Sequence, residues 1–125
     1  MVGDIIFSYT RKEAIEDGVL IDVSDMAKEA GFKYPVAVTQ MLWQTAIAVP
    51  KGLEGEQDEQ GRLWDVLNMA FVVARQQQTP SDTLHFIVAV RNGRSSGLLD
   101  VRVKAICGPG DDCEPVVTLM LPWED

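Results

Sequence analysis

The sequence is poor in the residues that catalysis and metal binding most often use. It has one histidine and two cysteines among 125 residues. It also contains neither a GxGxxG nor a GxxxxGK[ST] string, the glycine-rich loops that cradle phosphates. A serine or cysteine nucleophile usually needs a histidine or another base beside it. We therefore expect a protein that is not an enzyme and that holds no cofactor and no metal.

Long apolar runs are missing as well. No run approaches the roughly 18 apolar residues that a membrane-spanning helix needs. The first residues, 1–7, lack the basic leader and the long apolar core of a signal peptide. Two cysteines without an export signal favour a reducing compartment. These features predict a cytoplasmic protein that does not contact a membrane.

The sequence has fewer basic residues than acidic ones. The chain has 11 Lys and Arg against 19 Asp and Glu, which gives a net charge of −8. Such a protein repels the phosphates of nucleic acids and of anionic lipids, so direct nucleic-acid binding is not expected. The charge suits a partner with a basic protein surface, including one that normally holds DNA. The alternative is that the charge only keeps a small domain in solution.

Length and pattern predict one α+β domain over residues 1–125. An apolar fraction of 46% and a charged fraction of 24% are ordinary for a globular protein. Helix signals dominate the first part of the chain, and alternation of apolar and polar residues dominates the last third. This order favours helices packed on one face of a mainly antiparallel sheet of three to four strands. Four helices are expected, beginning near Thr10, Ser24, Thr39 and Glu59, and strands are expected over 19–23, 84–91, 99–107 and 115–121.

The helix boundaries and the core follow from local chemistry. Thr10 and Glu13 have the spacing of a capping box, and Gly18 and Gly31 suit the left-handed residue that ends a helix. Trp64 also lies at a position that suits the core. The predicted core consists of Leu42, Trp43, Leu63, Leu67, Ala70, Ala74, Phe86, Val88, Val101, Val103 and Leu119.

Acidic residues cluster in two segments, and a tryptophan lies close to the end of the sequence. Carboxylates can imitate phosphates and occupy a basic groove, and an exposed tryptophan is a good interface anchor. The alternative is a set of solvated loops and a tryptophan folded back on the domain. The predicted partner surface comprises Glu54, Glu56, Asp58, Glu59, Asp111, Asp112, Glu114 and Trp123.

Three smaller features leave alternatives open. His85 is either a general base or an ordinary strand residue. Cys107 and Cys113 flank a glycine-rich turn and are free thiols, a disulfide after oxidation, or metal ligands, although no two further soft ligands are spaced for zinc. The turn between them is a simple turn, a recognition tip, or a site for Mg²⁺ or Ca²⁺, but it lacks the acidic spacing of an EF-hand.

Four segments are distinctive: residues 4–24, AKEAGF at 27–32, GRLWDVL at 61–67 and CGPGDD at 107–112. Together they resemble a family of small uncharacterised bacterial proteins, often labelled plasmid-related, carried on plasmids, integrative elements and prophage regions. The resemblance implies a mobile genetic element in a bacterial cytosol. It implies no activity, so no functional residues are transferred. Cys113 departs from the small residue expected at its position.

These observations favour a protein that acts by binding another protein. In the setting that the resemblance implies, one such role is an acidic inhibitor of a host defence system, of the anti-CRISPR or anti-restriction type. The alternative is an oligomeric structural or regulatory accessory protein without catalytic activity. An enzyme that uses carboxylates is the third hypothesis, and it requires a pocket with convergent carboxylates of perturbed pKa.

Overall fold

The computed structural model describes residues 9–55, 57–92 and 97–124. Glu56, one of the predicted partner-surface residues, lies outside these ranges. Within them the elements are α1 (Arg11–Glu16), β1 (Leu20–Asp22), α2 (Ser24–Ala30), β2 (Val36–Thr39), α3 (Gln40–Leu42), a π-helical segment (Trp43–Ile47), α4 (Glu59–Gln76), β3 (Thr83–Val90), β4 (Leu99–Pro109) and β5 (Pro115–Met120). The α+β class is confirmed. None of the described helices is long and apolar enough to cross a membrane.

The capping box at the start of α1 is confirmed. The Thr10 hydroxyl accepts from the Glu13 backbone N–H at 3.0 Å, and the Glu13 carboxylate accepts from the Thr10 backbone N–H at 3.3 Å. Helix α2 ends as predicted at Gly31, whose φ is 117°. Ser24 is the first residue of α2 and not its cap. Its hydroxyl instead donates to the Asp22 carboxylate at 2.6 Å and accepts from the Val36 backbone N–H at 3.0 Å.

The third predicted helix is two elements. Thr39 caps it, since its hydroxyl accepts from the Leu42 backbone N–H at 3.2 Å. After the three residues of α3 the chain continues as the π-helical segment. The buried side chains of both pieces, Leu42, Ala46 and Ile47, join the core.

The sheet has five strands and is mixed, so the expectation of three to four antiparallel strands is corrected. Its order is β1-β2-β5-β4-β3. The β2–β5 pair is parallel, and the other pairs are antiparallel. Strand β2 has only four residues, VAVT. It follows Pro35 and ends at Thr39, which is also the cap of α3. Its apolar run is too short to separate a strand from the approach to a helix.

The core lies between α4, α2 and one face of the sheet. Most of the predicted core residues are buried there, including Leu67, Val103 and Leu119. Three residues that were predicted at core positions are not fully buried. Trp43 is only partly buried against the core, Ala74 is exposed, and Trp64 is 40% exposed. Ala74 lies in the last two turns of α4, where the helix extends past its closest packing with the core.

The opposite face of the sheet is covered over only part of its width. Helix α1 lies against β5, because the Arg11 guanidinium donates to the Thr118 hydroxyl at 2.7 Å and to the Val117 carbonyl at 2.9 Å. The turn after β5 is held at β2, where the Thr39 hydroxyl donates to the Glu124 carboxylate at 2.7 Å. On β3 and β4, the side chains of this face at 85, 87, 100 and 102 are exposed.

Candidate binding surface

The described acidic residues of the predicted partner surface form two clusters at opposite ends of the sheet. The first cluster, Glu54, Asp58 and Glu59, lies where α4 begins, and Asp58 lines a hollow together with Leu98, just before β4. The second cluster, Asp111, Asp112 and Glu114, lies in the turn after β4. Strand β4 has 11 residues, which at about 3.3 Å per residue separates its ends by roughly 33 Å. The two clusters therefore do not merge into one acidic surface.

The first cluster has local structural partners. The Asp58 carboxylate accepts from the Gly61 backbone N–H and caps α4. The Glu54 carboxylate accepts from the Gly52 backbone N–H at 2.7 Å. Glu59 lies in the first turn of α4, where a negative charge suits the helix dipole. All three residues remain exposed, so their role in partner binding stays a prediction.

The second cluster ties α1 to the β4–β5 turn. The Asp111 carboxylate accepts from the backbone N–H groups of Arg11 at 2.8 Å and Lys12 at 3.0 Å. These two hydrogen bonds lower the pKa of Asp111. The Glu114 carboxylate accepts from the Asp112 backbone N–H at 3.0 Å. Among the residues that the model describes, no group of three potential ligands is arranged to hold a metal ion.

Trp123 lies on the surface, in a turn that hydrogen bonds hold in place. Its side chain is 71% exposed. The next residue, Glu124, anchors the turn, because its carboxylate accepts from the Leu121 backbone N–H at 2.8 Å and from the Thr39 hydroxyl. An exposed tryptophan on a fixed turn has the geometry of an interface anchor, and that role stays a prediction.

A further surface, which the sequence pattern did not reveal as a site, is the outer edge of β3. This strand closes one side of the sheet and has eight residues. The Asp82 carbonyl accepts from the Cys107 N–H at 2.8 Å, so the even-numbered residues of β3 bond to β4 under regular antiparallel pairing. The N–H and C=O groups of Thr83, His85, Ile87 and Ala89 consequently point away from the sheet. Those of Thr83 already bond to the Ser81 hydroxyl, which accepts from the Thr83 N–H at 3.2 Å and donates to the Thr83 carbonyl at 2.9 Å. The groups open to a partner are therefore those of His85, Ile87 and Ala89.

Strand β3 carries none of the common devices that protect a sheet edge. Exposed edges are normally blocked by lysine or another charge, by proline, by a bulge, or by being very short. The β3 sequence TLHFIVAV contains no Asp, Glu, Lys, Arg, Pro or Gly, and its pairing with β4 is continuous over all eight positions. The opposite edge strand, β1, has only three residues. The β3 edge is therefore the better template for another strand.

Apolar side chains border the β3 edge on both faces of the sheet. One hollow at this edge is lined by Met69, Val73 and Phe86 from the helix side and by Ile87 from the open face. Met69 is 40% exposed and Ile87 is 49% exposed. At the end of β3 near the start of α4, exposed Trp64 and Leu98 line a second hollow. A strand placed on this edge would bury apolar side chains on both of its faces.

The open face beside this edge is polar and mixed in charge. His85 is exposed and lies opposite Lys104 on β4. Asp100 and Arg102 follow on the same face. Positive and negative side chains are mixed on this face, so it does not present one sign of charge to a partner. The edge is therefore a better docking surface than the face.

The two cysteines are free thiols in different surroundings. Cys113 is exposed in the β4–β5 turn with a φ of 65°. Cys107 is half-buried and packs against the core from β4. The disulfide considered for the sequence is therefore not formed in this structure.

Comparison with protein families gives a match over the chain. The model of DUF6573, a family of unknown function, matches residues 1–125. No curated protein and no solved structure matches the chain.

Proposed function

The chain belongs to the family of unknown function DUF6573, and we propose that it is a non-catalytic protein-binding module. In this proposal an extended segment of a partner adds to β3 as a sixth strand. Main-chain hydrogen bonds to the outward groups of His85, Ile87 and Ala89 supply affinity, and side-chain pockets beside the edge supply selectivity. The observation that carries the proposal is the eight-residue edge without charge, proline or glycine.

The overall charge of the chain favours a basic partner, because it is −8. The two ends of the edge differ. Asp82 directly precedes β3, whereas Arg62 and Arg91 balance Asp58 and Asp65 in the hollow at the other end. A partner segment with an apolar centre and a basic residue at the Asp82 end matches this arrangement, and opposite charges would also speed the encounter.

Combined with the mobile-element context that the sequence resemblance implies, the same chemistry favours a nucleic-acid-binding protein as the partner. Such proteins carry the basic surfaces that a chain of charge −8 attracts. Occupying that surface would keep nucleic acid away from it. We propose a host defence protein of the CRISPR or restriction type as this partner, located in the bacterial cytoplasm.

A specific feature of β3 also favours a second candidate, a symmetric homo-oligomer. If two copies pair antiparallel with Ile87 on the two-fold axis, His85 faces Ala89 of the second copy, and Phe86 faces Val88 of the second copy. Every residue of the strand is uncharged when His85 is neutral, so this pairing brings no like charges together. In this case the protein would be an accessory component that acts as an assembly.

The Ile87→Lys variant tests the binding proposal. A lysine on an edge strand blocks strand addition, and the position is exposed, so the fold should tolerate it. Met41→Lys is the matched control, because Met41 is 53% exposed and lies outside the β3 edge. We expect wild type and Met41→Lys to retain the same basic protein from a nuclease-treated bacterial lysate. Ile87→Lys should retain at least about tenfold less, equivalent to about 1.4 kcal/mol of binding free energy.

Each outcome of this comparison bears on the proposal. Retention that falls at high salt and is lost in Ile87→Lys supports a basic partner at the edge. Equal retention by all three proteins, or no protein retained by wild type, contradicts it. Sedimentation of the purified proteins tests the second candidate, the homo-oligomer. That candidate predicts that wild type and Met41→Lys are dimers and that Ile87→Lys is a monomer.

A further inference from the structure

A cavity lies between the end of α2, the second half of α4 and the covered face of the sheet. Its volume is about 290 Å³. Strand residues form its floor and aromatic rings form part of its wall. The principal apolar residues that line it are Phe32, Phe71, Leu84, Ala105, Cys107 and Val117. It lies on the face of the sheet opposite the open one, and it is independent of the proposed strand addition.

Small side chains leave this space open where larger ones would fill it. Ala70 and Ala74 of α4 line it from one side and Ala105 lines it from the sheet. The Phe32 and Phe71 rings meet with their centroids 5.8 Å apart and their planes tilted by 58°. The Arg75 guanidinium lies 5.7 Å from the centroid of the Phe71 ring. The Phe71 ring of this wall is therefore in contact with both Phe32 and Arg75.

The mouth of the cavity is polar. Lys33, Ser81 and Asp82 are exposed residues that line it. The interior exposes carbon and the Cys107 sulfur. An apolar cavity of about 150 Å³ is already large enough to hold benzene, and pockets for small ligands combine an apolar lining with a few polar groups that orient the ligand.

We infer that this cavity binds a small, planar, mostly apolar molecule of about the size of indole, with its polar atom at the Lys33–Asp82 mouth. The aromatic walls favour a ring by edge-to-face contact. A bound ring would cover the Cys107 thiol on the floor. It would leave the Cys113 thiol, in the β4–β5 turn, as exposed as before.

Protection of Cys107 from alkylation tests this inference, with indole as the probe. The variant Cys113→Asn leaves Cys107 as the only thiol, and asparagine tolerates the left-handed backbone at 113. The variant Cys107→Ala leaves Cys113 as the only thiol. We expect saturating indole to slow the reaction of Cys107 with N-ethylmaleimide at least about tenfold, and to leave the reaction of Cys113 unchanged.

Two further variants place the effect in this cavity. Ala74→Phe, in the Cys113→Asn background, fills the space from an exposed helix position, so indole should no longer slow the reaction. Val72→Phe, in the same background, is the control, because Val72 is an exposed residue of the same helix that does not line the cavity, and the protection should persist. Unchanged Cys107 reactivity with indole, or protection that survives Ala74→Phe, overturns the inference.

A second test does not depend on how fast the half-buried Cys107 thiol reacts with N-ethylmaleimide. The methyl groups of Ala70, Ala74 and Ala105 line the cavity, and ring currents of a bound aromatic molecule shift nearby methyl resonances in NMR spectra. Indole should shift these three alanine signals and leave the Ala89 signal in place. Absence of such shifts at millimolar indole also overturns the inference.

Discussion

Replacing Arg62 with methionine is expected to lower the free energy of unfolding by about 3 kcal/mol. Arg62 lies in the first turns of α4 and is only 6% exposed. Its guanidinium donates to the Ala46 carbonyl at 3.1 Å and to the Arg91 carbonyl at 2.8 Å. Burial lowers its pKa, and the negative charge of Asp65 acts against that shift.

The Arg62 side chain joins parts of the chain that are far apart in sequence. It also donates to the side-chain oxygens of Gln57 and Asn92, at 2.7 Å each. Asn92 in turn donates to the Thr45 carbonyl at 3.1 Å. One guanidinium therefore fixes the π-helical segment, the start of α4 and the end of β3. Methionine would preserve much of the side-chain volume but would leave buried acceptors without these donors.

Arg75→Met is the control for this prediction. Arg75 lies on the same helix and is exposed, and its guanidinium lies over the Phe71 ring. Its replacement should cost less than about 1 kcal/mol. Urea unfolding of the three proteins measures both values. If the two variants lose equal stability, Arg62 does not hold these elements together.

The second large effect is expected for Gly31→Ala, which should lose about 3 kcal/mol. The φ of Gly31 is 117°, a backbone conformation that residues with a Cβ rarely adopt. In addition, a Cβ at this position would lie 2.6 Å from Cζ of Phe71. Moving the Phe71 ring away would disturb its contacts with Phe32 and Arg75.

Gly52→Ala separates the two causes. Gly52 also has a positive φ, 96°, but a Cβ there would meet no atom within 4 Å. This variant should lose only the backbone contribution, about 1.5 kcal/mol. Chemical denaturation of both variants gives the difference, which measures the steric contact with Phe71. A loss for Gly31→Ala no larger than that for Gly52→Ala would show that α2 and α4 are not packed this closely.

Local signals predicted the helix ends well because their chemistry lies within a few residues. The reciprocal hydrogen bonds of Thr10 and Glu13, and the positive φ of Gly31, depend on little else in the fold. The same holds for the alternation that predicts β3, β4 and β5. Strand β2 was missed because its four residues lead directly into α3, and one of its two partner strands, β5, lies about eighty positions later in the sequence.

The candidate binding surface could not be predicted for a related reason. The sequence TLHFIVAV is equally compatible with a central strand, and only the order of the sheet places it at an edge. Arg62 has no sequence signal that separates it from the exposed Arg75 on the same helix. The acidic residues were visible as clusters, but their spacing in three dimensions depends on the length of β4. Two cysteines suggested a pair, whereas Cys107 turns toward the core and Cys113 toward solvent.

Amide hydrogen exchange on the ¹⁵N-labelled chain tests the proposed strand addition most directly. In the free protein, the N–H groups of His85, Ile87 and Ala89 should exchange fast, because they point away from the sheet without a partner strand, whereas those of the even-numbered residues of β3 should be protected. Addition of the partner that Met41→Lys retains and Ile87→Lys does not should protect these three outward groups. If they still exchange at the free rate while the amides of the acidic clusters become protected, the partner binds elsewhere and β3 is not its docking strand.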